Sequence, residues 1–186
     1  MDSAEKLARL KEIVRDRSFS EGEAKTLASG RTSSFYFNMK MTMSQPEGLV
    51  LIADLMLEKL AEGPCDVVGG LAMGAVPIVN AISMRSFETG TPIPLIWIRK
   101  EAKEHGTQAT IEGEEIAKLS GKTAVMVEDV TTTGGSVMKA IETVRANGVI
   151  VDRVITIVDR MEGAEEALAA QGLSLISLLT ADDFRS

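Results

Sequence analysis

Residues Thr123 to Asn147 read TAVMVEDVTTTGGSVMKAIETVRAN, and no other stretch constrains the fold as strongly. An apolar run of strand length, Ala124 to Val127, meets two adjacent acids, Glu128 and Asp129, and then a loop of hydroxyls and glycines from Thr131 to Ser136. Val137, Ala140, Ile141 and Val144 follow at helical spacing, and Asn147-Gly148 supplies a helix stop. A glycine-rich loop between strand and helix directs free backbone N–H groups at an anion, which makes a phosphate site. The acids narrow the ligand: carboxylates repel phosphate but accept hydrogen bonds from sugar hydroxyls. A phosphorylated sugar satisfies both halves. The Walker loop is excluded because no Gly-Lys-Ser/Thr follows, and Gly134-Gly135 lacks the spacing of a dinucleotide fingerprint.

The rest of the chain repeats the same grammar. Strand signals at Asp66 to Gly69, Ile93 to Ile98, Ala124 to Glu128, Val149 to Val158 and Leu173 to Leu179 alternate with helix signals at Pro46 to Leu60, Val76 to Met84 and Glu162 to Gln171. Near-continuous apolar strands between helices predict an α/β fold, a mostly parallel sheet covered on both faces. Ligands of such sheets lie beyond the carboxyl ends of the strands, so Gly69 to Ala75, Arg99 to Gly113 and Glu128 to Ser136 are expected to converge on one edge. At the amino terminus, Leu7, Leu10 and Val14 mark an amphipathic helix without the apolar core of a signal peptide, and Thr32 to Lys40 reads as a short strand.

A chain of 186 residues with no linker, repeat or low-complexity tract is expected to be one domain, residues 1–60 forming a cap and 61–186 the core. The net charge of -7 argues against a general nucleic-acid partner, and no run reaches membrane-span length. The single cysteine, Cys65, cannot form an internal disulfide, which fits a cytoplasmic protein.

VEDVTTTGGS resembles the phosphoribosyl-diphosphate motif of the type I phosphoribosyltransferases, and LASGRTSSFYFN (Leu27 to Asn38), RKEAKEHG (Arg99 to Gly106) and VDR (Val158 to Arg160) are similar in order and spacing to the orotate-specific branch. The resemblance covers nearly the whole chain. It implies the type I phosphoribosyltransferase fold, with an amino-terminal hood and a flexible loop at about residues 99–113. It also implies a magnesium-dependent homodimer making orotidine 5′-phosphate in pyrimidine biosynthesis, from orotate and 5-phosphoribosyl 1-diphosphate. For the diphosphate substrate the matching positions are Arg99, Lys100, Lys103 and His105, with Glu128, Asp129, Val130, Thr131, Thr132, Thr133, Gly134, Gly135 and Ser136. Phe35, Tyr36, Thr132 and Arg160 match the positions that meet orotate. Lys103 and Asp129 match the catalytic ones. Magnesium is expected to be held mainly by the diphosphate rather than by side chains, and the basic loop is expected to serve the partner subunit's site. Two positions depart from the pattern: Ala28 and Met73 stand where many relatives carry lysine. The phosphate loop alone is shared with purine-base phosphoribosyltransferases and with non-catalytic regulators that sense phosphoribosyl diphosphate.

Overall fold

In the computed structural model, residues 1–26, 32–99 and 110–185 are described, with the side chains of 23–26 and 32–33 excepted. Helix α1 (Ser3–Arg17) is started by a capping box, in which the Asp2 carboxylate accepts from the Glu5 N–H at 2.9 Å while the Glu5 carboxylate accepts from the Asp2 N–H at 2.9 Å. A hairpin follows, β1 (Phe19–Thr26) antiparallel to β2 (Thr32–Phe37), then the short helix α2 (Met39–Met43) and α3 (Pro46–Leu60), opened by Pro46 at its first turn. The apolar strand β3 (Val67–Leu71) leads to α4 (Val76–Glu88), β4 (Leu95–Ile98) and β5 (Ile111–Gly113). Last come β6 (Thr123–Thr131), α5 (Gly135–Arg145), β7 (Ile150–Asp159), α6 (Ala164–Ala169) and β8 (Ser174–Thr180).

The large sheet has the order β5-β4-β3-β6-β7-β8, parallel throughout except that β5 runs back along β4. This is the mixed, mostly parallel arrangement that the alternating strand and helix signals predict. Two residues of β6 show how both faces are covered: Val125 and Val127 are buried among residues of α3 and α4, whereas Ala124 and Met126 are buried among Val137, Ala140, Ile141 and Val144 of α5. The period-two alternation therefore divides one apolar strand between two cores. Ile52 and Met56 of α3 belong to the first of these cores together with Leu10 and Val14 of α1.

From β3 the chain moves outward to β4 on one side and then to β6 on the other. The order of strands reverses between β3 and β6, and an open α/β sheet has its ligand crevice outside the carboxyl ends at such a reversal. Gly70 is what lets the chain turn tightly there. A Cβ on Gly70 would lie 2.3 Å from the Ala75 Cβ and 2.9 Å from the Val127 carbonyl oxygen, so only glycine fits between strand and loop.

The sequence reading differs from the structure at three places. The strand expected over 32–40 ends at Phe37, and Met39 to Met43 are helical, because the Thr42 hydroxyl turns inward to a buried hydrogen bond of 2.6 Å with the Ser18 hydroxyl. The polar run after β4 contains β5, three residues long and paired with β4 through Ile96↔Gly113 and Ile98↔Ile111. Strand β6 outlasts its apolar core and carries Glu128 and Asp129 inside it, since pairing with β7 continues through Glu128↔Thr156 to Thr131↔Asp159.

Candidate active site

At the reversal point, the end of β6 supplies the acids. Asp129 has the parity of Val125 and Val127 and so turns to the α4 side, where a Cβ on Gly74 would sit 2.8 Å from its Oδ1. The bare Gly74 thus lets the β3–α4 loop close directly on the carboxylate. Asp129 Oδ1 also accepts from the Val130 N–H at 2.9 Å, which fixes its rotamer while the side chain stays half-exposed. Glu128 points to the other face and is buried, so the two adjacent acids are presented differently to a ligand beyond the strand end.

The phosphate loop leaves β6 at Thr131, whose buried Oγ1 has no hydrogen-bond partner among the described residues. Gly134 takes φ +78° as the cap of α5, a conformation that suits glycine, and α5 begins at Gly135. Its first N–H groups have no intrahelical acceptors and, with the half-buried Thr132 and Thr133 and the exposed Ser136, form an anion cradle. A cavity of about 250 Å³ adjoins this cradle, lined by Leu71, Ile98 and Arg99 at the carboxyl ends of β3 and β4 and by one side of α5 from Ser136 to Thr143. A more voluminous cavity, about 740 Å³, lies instead at the amino ends of β3 and β4, between α3 and α4, away from the strand termini that carry the motifs.

Arg160 follows β7 directly and is buried to 3% exposure. Its Nε donates to Glu162 Oε1 at 2.9 Å, its Nη2 lies 2.8 Å from the same oxygen, and its backbone N–H donates to the Thr131 carbonyl at 2.9 Å. The guanidinium lies 4.5 Å from the centroid of the Phe35 ring. Phe35 and Phe37 share one face of β2, with ring centroids 5.9 Å apart, whereas Tyr36 stands on the opposite face and is 53% exposed. The structure therefore joins Phe35, Arg160 and the phosphate loop, and directs Tyr36 elsewhere.

Arg99 ends β4. Its N–H donates to the Thr110 carbonyl at 2.8 Å, and its Nε lies 3.2 Å from Glu112 Oε1 across the β4–β5 pair. Lys100, Lys103 and His105 lie outside the described residues, as does Ala28. Met73 is 73% exposed beside Gly74 and offers the crevice an uncharged thioether.

Sequence reasoning gave Asp159 no role of its own, though its place before Arg160 was a usable signal. This carboxylate is buried beside Thr131 at the end of β7 and accepts from the Met161 N–H at 3.0 Å. Burial, outweighing that hydrogen bond, pushes its pKa above the usual 3.8, and Glu166 and Glu162 push the same way. The native state then holds the proton more tightly than the unfolded chain, so stability falls as pH climbs through the raised value, and the penalty persists at neutral pH. Asp159→Asn keeps an acceptor for Met161 and is expected to raise the melting temperature by about 2 °C near pH 7, the gain vanishing near pH 3. Thermal melts at both pH values check this; an equal gain at both would remove the protonation argument.

Cys65 is partly buried, and burial pushes its thiol up to about 11, which disfavours the thiolate at neutral pH. Among the described residues, no helix is long and apolar enough to cross a membrane, and no three metal-ligating side chains gather.

This geometry has named counterparts. The family described as the phosphoribosyl transferase domain matches residues 41–177. An orotate phosphoribosyltransferase of Bradyrhizobium sp. is 53% identical over 185 residues, covering 99% of this chain and 100% of the relative. Among solved structures, the Mycobacterium tuberculosis orotate phosphoribosyltransferase in complex with Fe(III) dicitrate superposes with a TM-score of 0.83 at 39% identity, covering 97% of this chain and 99% of that one. The same organism's enzyme in complex with 5-phospho-alpha-D-ribosyl 1-diphosphate gives 0.79 at 36% identity, over 96% and 98% of the two chains. With a reversal-point crevice, a glycine-capped phosphate loop and full-length relatives at this identity, the chain belongs to the orotate phosphoribosyltransferase family and has the type I phosphoribosyltransferase fold.

Proposed function

We propose that this protein joins orotate to the phosphoribosyl group of 5-phosphoribosyl 1-diphosphate. The bond from the anomeric carbon to pyrophosphate breaks, a bond from that carbon to the ring nitrogen of orotate forms, and the nitrogen's proton is lost. The observation that carries the reading is the convergence, at one reversal point, of the α5 cradle, the Asp129 carboxylate against Gly74, and Arg160 over Phe35.

In this reading the backbone N–H groups of residues 131–136 hold the 5-phosphate, as a helix start does. Asp129 and Glu128 accept from the ribose hydroxyls and stabilise positive charge growing on the sugar ring. Thr132 and Arg160 meet the base, and Phe35 closes its pocket. Arg99, Lys100, Lys103 and His105 bind the diphosphate, Lys103 stabilising the charge on the departing pyrophosphate. Little acid–base chemistry is required, so positioning and electrostatics dominate.

Magnesium is part of the proposal. The acids at the end of β6 are hard oxygen donors of the kind it accepts in ones and twos beside substrate phosphates, and when bound it would neutralise charge on the diphosphate. A homodimer with shared sites is proposed as well, supported by the basic segment leaving the sheet edge at Arg99 and by the exposed Met84 and Phe87 of α4. A cytoplasmic location is proposed because the single cysteine, Cys65, cannot form an internal disulfide.

The purified protein, given phosphoribosyl diphosphate and magnesium, is expected to consume orotate, followed by its absorbance, and to leave adenine, guanine and hypoxanthine unchanged. Turnover of a purine without turnover of orotate would overturn the assignment.

A further inference from the structure

We propose that Arg185, at the carboxyl-terminal end of the described chain, is a recognition residue of the base subsite, where it supplies the positive charge that an anionic base requires. The proposal rests on the orotate reading above. Its starting point is the existing pairing of Arg160. The buried guanidinium beside Phe35, Arg160, is already joined to Glu162 at 2.8 Å. Arg160 and Glu162 together contribute almost no net charge, so a carboxylate arriving beside them calls for a further cation.

Two described guanidiniums lie over the Phe35 ring: Arg160 at 4.5 Å from the centroid and Arg185 at 5.3 Å. Arg185 is not on a loose tail. The short helical turn Ala181–Asp183 is closed by a capping box in which the Asp183 carboxylate accepts from the Thr180 N–H at 2.8 Å, and the Arg185 N–H donates back to the Ala181 carbonyl at 3.2 Å. Phe184 beside it is 1% exposed and packs on Phe19 and Phe37 at 5.4 and 5.2 Å between ring centroids. The backbone is thus held while the side chain stays half-exposed, with Asp182 its ionic partner at a long 3.5 Å. An exposed pair of that length is weak, and exchanging it for a substrate carboxylate costs little. A guanidinium presented on an aromatic face and able to bind a carboxylate bidentately is the chemistry that an anionic planar base calls for.

The test compares wild type with Arg185→Gln and Arg185→Lys. Arg185→Gln should raise KM for orotate about fivefold, a size set by the half-exposed position, while KM for phosphoribosyl diphosphate stays within about twofold. Arg185→Lys should recover part of the loss. Calorimetric binding of uracil, which lacks the carboxylate, should be the same in all three proteins. An unmoved orotate KM in Arg185→Gln overturns the proposal, and so does an equal rise in both KM values, which would mark a merely structural role. Wild type that neither converts nor binds orotate would show a different failure, that of the orotate reading itself, and the proposal would fall with it.

Discussion

Asp129→Asn is expected to lower turnover about a hundredfold, the cost of exchanging a charged hydroxyl acceptor for a neutral one in a transition state that builds positive charge on the sugar. The fold should be indifferent to the change. Asp129 is half-exposed at a strand end, and its structural bond is the acceptance from the Val130 N–H, which an amide oxygen reproduces. A stability change within about 0.5 kcal/mol is therefore expected alongside the lost activity. Gly74→Ala provides the companion measurement: its new methyl would fall 2.8 Å from Asp129 Oδ1, so the carboxylate must move and turnover must drop with Asp129 still present. Wild-type turnover in Asp129→Asn would remove this carboxylate from the chemistry.

The second large effect is a gain. Lys103→Ala and Asp129→Asn are each expected to be nearly inactive, yet mixing and re-dimerising the two should restore activity. If Lys103 reaches the partner's site, a mixed dimer holds one site with both defects and one with neither. Random pairing makes about half the dimers mixed, so recovery should approach roughly a quarter of wild type if the sites are independent. Demonstrated subunit exchange without recovery would mean that Lys103 serves its own chain.

Where pattern and local physics agree, the fold could be read directly. The unit from Thr123 to Arg145 declared itself because its apolar run, its glycines and its helical spacing all specify the same strand, loop and helix. Strand β1, FSEGEAKT, was not legible: it is polar and lacks alternation, and it exists because β2 pairs with it and Phe19 packs on Phe37 at 5.1 Å. Strand β5, three residues within a charged stretch, is likewise made by its neighbour β4. In the candidate site, residue types marked the glycine-rich loop after β6 as a phosphate candidate, and the family resemblance marked Arg160. They could not say that Phe35 rather than Tyr36 faces the guanidinium, because that depends on the register of β2 against β1, Glu21↔Phe35 and Ser20↔Tyr36. Nor could they choose between Asp159 and Glu162 as the partner of Arg160. The chain makes that choice by turning through Met161 at φ 57°, a conformation that no rule assigns to methionine.

The aromatic cluster of Phe19, Phe37 and Phe184 also orders events during synthesis. Phe19 touches Phe184 at 5.4 Å, and Lys11 reaches Asp183 at 2.9 Å across 172 positions of sequence. The hairpin β1–β2 is made well before residues 181–185 and gains that packing only when they arrive, an interval of about 7–30 s at ordinary elongation rates. The sheet and its phosphate cradle can form in the meantime, so the phosphate half of the site is complete on the nascent chain before the base half exists. Hydrogen exchange on released chains truncated before residue 180 measures this directly, with β6 amides protected and β1 amides open; protected β1 amides would refute the sequence of events. During that interval the apolar face of α1 at Leu10, Ile13 and Val14 lacks its full cover, which leaves it open to a chaperone.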